Sequence, residues 1–164
     1  METYLLAQPP LLAVDPGLEK CGVAVVTYTR EVLEREIIAT AALPLRVAYH
    51  VGRYGIALIA LGDRTGARQV RDALRQAGFQ FEIVFVNEHR SSELGRRRYL
   101  MEHPGAGLLR FLPLGLRSPD APYDDYVAVV LAERFLDGSR STRLRRLRKR
   151  GRGEEGKRRS GNGV

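Results

Sequence analysis

The stretch LLAVDPGLEKCGVAVV, residues 11–26, decides the fold. An apolar run from Leu11 ends in the carboxylate of Asp15, Pro16 and Gly17 follow, and a second apolar run opens at Gly22. Proline and glycine punctuate a turn, so the stretch reads as two strands, 11–15 and 22–29, joined by a short connection. Four apolar residues in unbroken succession predict a strand covered on both faces. A carboxylate at the end of such a strand costs free energy unless something compensates it. Asp15 either initiates an Asp-Pro-Gly turn or holds a ligand, and the rest of the chain bears on the choice.

Working outward, VLEREIIA at 32–39 alternates and predicts a third strand with one face in water. Residues 44–54 supply a crossover helix, IALIAL at 56–61 a short buried strand, and GDRTG a turn after it. ARQVRDALRQAG, 67–78, gathers Val70, Ala73, Leu74 and Ala77 on one face of a helix that Gly78 stops. FEIVFV at 81–86 is a further buried strand leading into Asn87 and Glu88, and SSELGRRRYLME follows as a helix with its serines as N-cap. A Gly/Pro-rich loop then leads to a second strong helix, YDDYVAVVLAERFL, at 123–136.

This order predicts an α/β protein with a mixed five-stranded sheet flanked by helices. The first three strands form an antiparallel meander, whereas helical crossovers make the fourth and fifth parallel to the first. Parallel strands end at one edge, so Asp15, Asp63 and Glu88 meet there, at the edge where open α/β sheets bind ligands. Asp124 and Asp125 open the last helix and can join them. Each acid also has a plainer reading: a turn for Asp15, helix or turn capping for Asp63 and Glu88, and the helix dipole for the aspartate pair. Clustered carboxylates without histidine or cysteine select a hard cation, Mg²⁺ or Mn²⁺. Two such ions about 4 Å apart activate water and stabilise the leaving oxygen of a phosphodiester. The expected chemistry is metal-assisted phosphodiester hydrolysis.

Charge divides the chain. Residues 1–138 carry 16 Arg and Lys against 17 Asp and Glu, while residues 139–164 carry 11 basic residues against 2 acidic. The expected organisation is a folded domain over 1–138 and a basic, disordered tail over 139–164. Arg145, Arg146, Arg148, Lys149 and Arg150 make that tail a phosphate-backbone ligand. A lone cysteine, Cys21, rules out an internal disulfide or a Cys-rich zinc site. No apolar stretch reaches the roughly 18 residues of a membrane span, and the opening residues lack a signal-peptide pattern. The expected location is the cytoplasm, with nucleic acid as partner and no membrane.

AVDPGLEKCGVAVV resembles the first motif of the YqgF family of RNase H-like proteins, the pre-16S rRNA nucleases and Holliday-junction-resolvase-like proteins. Asp15 supplies the strand-ending acid, with Gly17 and Gly22 as the structural glycines of the turn. NEHRSS, 87–92, is similar to the second acidic motif through Glu88, and DDYVAVVLAERFL resembles the third, with Asp124 as the equivalent and Asp125 close behind. The likeness covers roughly residues 11–137. It departs from the family in Asn87, in the two serines that replace threonines, and in the missing proline of LGDRTG.

The resemblance implies an RNase H-like fold and a Mg²⁺- or Mn²⁺-dependent nuclease. Asp15, Glu88 and Asp124 would be the metal ligands, and Asp125 would join them in the catalytic set. Lys20 beside Asp15, with Arg96 and Arg97 in the basic run after Glu88, are the candidate nucleic-acid contacts within the domain. The implied role is trimming of precursor 16S rRNA. The alternatives are cleavage of a four-way DNA junction, which brings with it a two-fold homodimer, and a binding module without turnover. Phosphotransferases with a similar opening hairpin need a second domain that this chain lacks.

Overall fold

Strand β1 (Leu11–Asp15) lies at the centre of the sheet, with its four apolar residues fully buried. The computed structural model describes residues 8–105 and 111–138, and the basic tail from 139 onward, with Arg145, Arg146, Arg148, Lys149 and Arg150, lies outside the described residues. The sheet has five strands in the order β3-β2-β1-β4-β5. β2 (Lys20–Val26) pairs antiparallel with β1, and β3 (Val32–Ala39) antiparallel with β2. β4 (Leu58–Gly62) and β5 (Glu82–Val86) run parallel to β1. This is the predicted topology.

Alternation along β1 sends its side chains to two cores. On one face Leu12 and Val14 join Val23, Val25, Ile59 and Leu61 beneath helices α1 (Leu43–Tyr54) and α2 (Ala67–Gln76). On the other, Leu11 and Ala13 join Ala24, Val26, Ala60 and Val86 beneath helix α4, residues 124–138. Small residues dominate the second layer: Ala13, Ala24 and Ala60 on the sheet face Ala128 and Ala132 on the helix. Alanine against alanine lets α4 lie close to the strands, which brings its first turn down to the backbone of β2. Helix α3 (Ser91–Glu102) follows β5.

Several boundaries differ from the sequence reading. β2 begins at Lys20 and ends at Val26, because residues 27–30 form a turn in which the Arg30 N–H donates to the Thr27 carbonyl at 2.9 Å. β4 starts two residues late, at Leu58. The serines do not cap α3: Arg90, with φ of 60°, holds the cap position, while Ser91 lies inside the helix with its hydroxyl buried and unpartnered. Nor does β3 leave a face in water. Glu34 and Glu36 turn toward Arg46 and His50 of α1, and Arg35, on the opposite face, stacks on Tyr126 at 3.6 Å from the ring centroid. The alternation that signals a wet face here marks paired charges on both sides.

Candidate metal centre

Asp15 continues the alternation of Leu11 and Ala13, so its side chain lies on the α4 face, directly across from Gly22 in the β1–β2 register. The turn that follows is braced by the residue just after β3: the Thr40 hydroxyl donates to the Gly17 carbonyl at 2.9 Å and the Thr40 N–H to the Glu19 carbonyl. At Gly22 the backbone of α4 comes down onto the sheet: a Cβ there would fall inside the Asp124 carbonyl. The missing side chain therefore seats the N-terminus of α4 beside Asp15. Gly62, the last residue of β4, does the same for Glu88, since a Cβ there would overlap the Glu88 carboxylate. Glu88 leaves the end of β5 and lies over Gly62, the end of the strand next to β1. Two glycines thus admit two acids to the edge where Asp15 stands.

Electrostatics register the convergence. The Asp15 carboxyl is pushed up from its ordinary 3.8 to about 7, first by burial and then by the negative charges of Glu88 and Asp124. Arg64 and Lys20 pull in the opposite direction without cancelling the rise. Glu88 is also raised, chiefly by burial, against an N–H donated by Arg64 and the Arg64 charge. Lys20 Nζ lies 2.9 Å from Asp124 Oδ2, and Arg64 Nε lies 3.8 Å from Glu88 Oε2. Each outer acid has a basic neighbour, whereas Asp15 between them is left with uncompensated charge.

Carboxylate oxygens alone, one of them driven toward protonation by burial and then by its acidic neighbours, are a donor set that suits a hard divalent cation. Asp15, Glu88 and Asp124 are the residues that fit such an ion. They stand more loosely than ligands closed around one ion, as like charges held apart by Lys20 and Arg64 do. Among the described residues the only trio with ligand atoms all within 4.8 Å of one another is Glu34, Glu36 and His50. That trio belongs to the other face of the sheet, since Glu34 and Glu36 pair in register with Val25 and Val23 of the α1-side core. Both of its carboxylates are already partnered: Arg46 Nε donates to Glu36 at 2.8 Å, His50 Nε2 lies 2.9 Å from the same oxygen, and the Tyr54 hydroxyl donates to Glu34 at 3.0 Å.

The remaining sequence candidates are distributed around this centre. Asp125 turns from Asp15 toward β3 and faces Arg35, Nε to Oδ2 at 3.7 Å. Asp63 caps neither α2 nor α3; its Oδ1 accepts the Glu88 N–H in the loop after β5, at 3.1 Å. Arg96 donates to the Arg117 carbonyl and is committed to bracing that segment, whereas Arg97 is exposed on α3. Arg64 and Gly62 escaped the sequence reading. Arg64 stands next to Asp63 in a turn, and Gly62 closes the preceding strand; their position at the end of a parallel strand was the available signal.

No family model matches the chain, and no curated protein matches it either. Solved structures do. Thermus thermophilus RuvC in complex with a Holliday junction substrate superposes with a TM-score of 0.51 at 18% identity, over 84% of this chain and 96% of that one. RuvC of the same organism on its own gives 0.47 at 18% identity, over 75% and 90%. A ROK family glucokinase from Streptomyces griseus, in complex with glucose and AMPPNP, gives 0.36 at 16% identity, over 54% and 36%. The first likeness is one of fold: the chain has the RNase H-like arrangement seen in RuvC.

Proposed function

We propose that this chain is a metal-dependent nuclease that hydrolyses phosphodiester bonds of structured nucleic acid. The observation that carries the reading is the raised Asp15 carboxyl, flanked by Glu88 and Asp124 at the edge where β1, β4 and β5 end. Asp15, Glu88 and Asp124 are the residues that would hold Mg²⁺ or Mn²⁺. When bound, the ion supplies a water activated for attack and charge stabilisation at the leaving oxygen. Asp125, fixed by Arg35, orients the first turn of α4, and Arg64 holds the Glu88 carboxylate. Lys20, half-exposed beside Asp124, is the candidate for meeting a phosphate. Residues 1–138 are the catalytic unit, and the basic residues of 139–164 contribute sequence-independent phosphate contacts.

The likeness of residues 13–26, 87–92 and 124–136 to the YqgF motifs supports precursor 16S rRNA as the polymer and a cytoplasmic location. A second reading, cleavage of a four-way DNA junction by a homodimer, is favoured by the fold likeness to RuvC, which extends over most of both chains. A cleavage assay decides. Wild type and Asp15→Asn are incubated with Mn²⁺ or EDTA, on an RNA carrying a 16S precursor end and on a four-way junction. Metal-dependent cutting that disappears in Asp15→Asn is the expected result, with the RNA as preferred substrate. Preference for the junction selects the second reading, and tight binding without cutting on either substrate overturns both.

A further inference from the structure

Beside the carboxylate site, on the α2 face of the sheet, lies a groove that hydrolysis itself does not use. It has a volume of about 570 Å³ and lies between the start of α2 and the end of β5, lined by Asp63, Arg64, Arg68, Gln69, Arg71 and Phe85, with its one acid, Asp63, accepting the Glu88 N–H. Arg64 belongs to both places, since its Nε is 3.8 Å from Glu88 Oε2. Arg64 is thus the residue that the groove and the cluster of acids share.

Its lining is chemically specific. Arg68 and Arg71 stand three residues apart on one face of α2. Arg71 is partly neutralised by Asp72 at 2.8 Å, while Arg68 is exposed and makes no ion pair among the described residues. The first turn of α2 holds no acid and no side chain caps it, so its N–H groups add positive potential. Opposite stands Phe85, 43% exposed on the edge strand. Sheet edges are ordinarily guarded by charge or short length, and a bare aromatic ring there is an apolar surface without a partner. Guanidinium groups beside an open aromatic face form the combination that takes single-stranded nucleic acid, with charge on the phosphates and the ring under a base.

We propose that this groove receives an unpaired nucleotide of the strand that passes through the carboxylate site, its base on Phe85 and its phosphates on Arg68 and Arg71. The inference rests on the nuclease reading for the direction from which the strand arrives; the binding itself is tested separately. It makes the groove a selector for substrates with an unpaired segment beside the cut, whether RNA or DNA.

The test uses the full chain in EDTA, where binding is read without cutting, with fluorescent single-stranded oligouridine and oligothymidine as probes. The tail contributes equally in every variant. Phe85→Leu should weaken binding about tenfold, whereas Phe85→Trp retains it, because stacking distinguishes the two and simple packing does not. Arg68→Ala and Arg71→Ala should each lower the slope of log affinity against log salt by about 0.7. The stronger of the two probes identifies the polymer. Equal binding by wild type and Phe85→Leu overturns the proposal, as does inorganic phosphate competing as well as an oligonucleotide does. With Mn²⁺ present, Phe85→Leu should raise KM and leave kcat unchanged. Binding that depends on Phe85 in a protein that cuts nothing removes the nuclease reading and leaves the groove; cutting indifferent to Phe85 does the reverse.

Discussion

Lys20 and Asp124 meet at the turn end of the β1–β2 hairpin, with Nζ 2.9 Å from Oδ2. The ammonium group stands where a divalent cation would also be drawn, and the two compete for one carboxylate. Both side chains are substantially exposed, so the pair adds less than about 1 kcal/mol to stability. Lys20→Met should consequently leave the melting temperature nearly unchanged and tighten Mn²⁺ binding about fivefold. Calorimetric titration of the two proteins with Mn²⁺ checks this. Weaker binding in the variant would show that the lysine holds Asp124 in its ligand position.

The Asp15 carboxyl gives the metal-free protein a pH dependence of defined sign. Its folded value of about 7 lies above the ordinary 3.8, so the folded chain holds the proton more tightly than the unfolded one. The contribution to stability is complete below about pH 4 and is lost as pH rises to about 7. Some three units at 1.36 kcal/mol each set an upper bound of about 4 kcal/mol. Asp15→Asn, which cannot ionise, should melt higher than wild type at pH 8, with the gap closing toward pH 5. Mn²⁺ binds the ionised form, so wild-type affinity should climb with pH up to about 7. Thermal melts with and without Mn²⁺ across that range read both effects.

The two glycines of the site should respond differently to alanine. At Gly22 the obstacle is the backbone of α4, which can yield only by lifting the helix from the sheet. Gly22→Ala should cost about 1–3 kcal/mol or more and disturb the whole α4 face. At Gly62 the obstacle is the far end of the Glu88 side chain, which can swing aside. Gly62→Ala should keep a near-wild-type melting temperature and lose metal-dependent cutting. Melting curves and Mn²⁺ titrations on both variants separate the outcomes; equal destabilisation would place Glu88 in a rigid seat.

The hairpin, the strand directions and the acids at the strand ends were legible because each follows from short stretches of chain. Unbroken apolar runs mark doubly covered strands, and crossover helices fix which strands run parallel. What the sequence hid depends on partners far along the chain. The alternation of β3 is the same whether its charges meet water or meet Arg46, His50 and Asp125, and only the placement of α1 and α4 distinguishes the cases. The serines at 91 and 92 carry a capping composition, yet Arg90 adopts the left-handed conformation and pushes them into the helix. Gly62 reads as the end of a strand, and its purpose emerges once Glu88 is seen lying across it.

The position of α4 also orders events in time. Asp15 and Gly22 leave the ribosome more than a hundred residues before Asp124 does. Until that helix arrives, Ala13, Ala24 and Ala60 have nothing over them, and the third carboxylate does not exist. A chain still in synthesis can therefore build its sheet while remaining chemically silent. On the nuclease reading proposed above, this order withholds activity from the message and ribosome producing the chain until the helix that completes the core also completes the site.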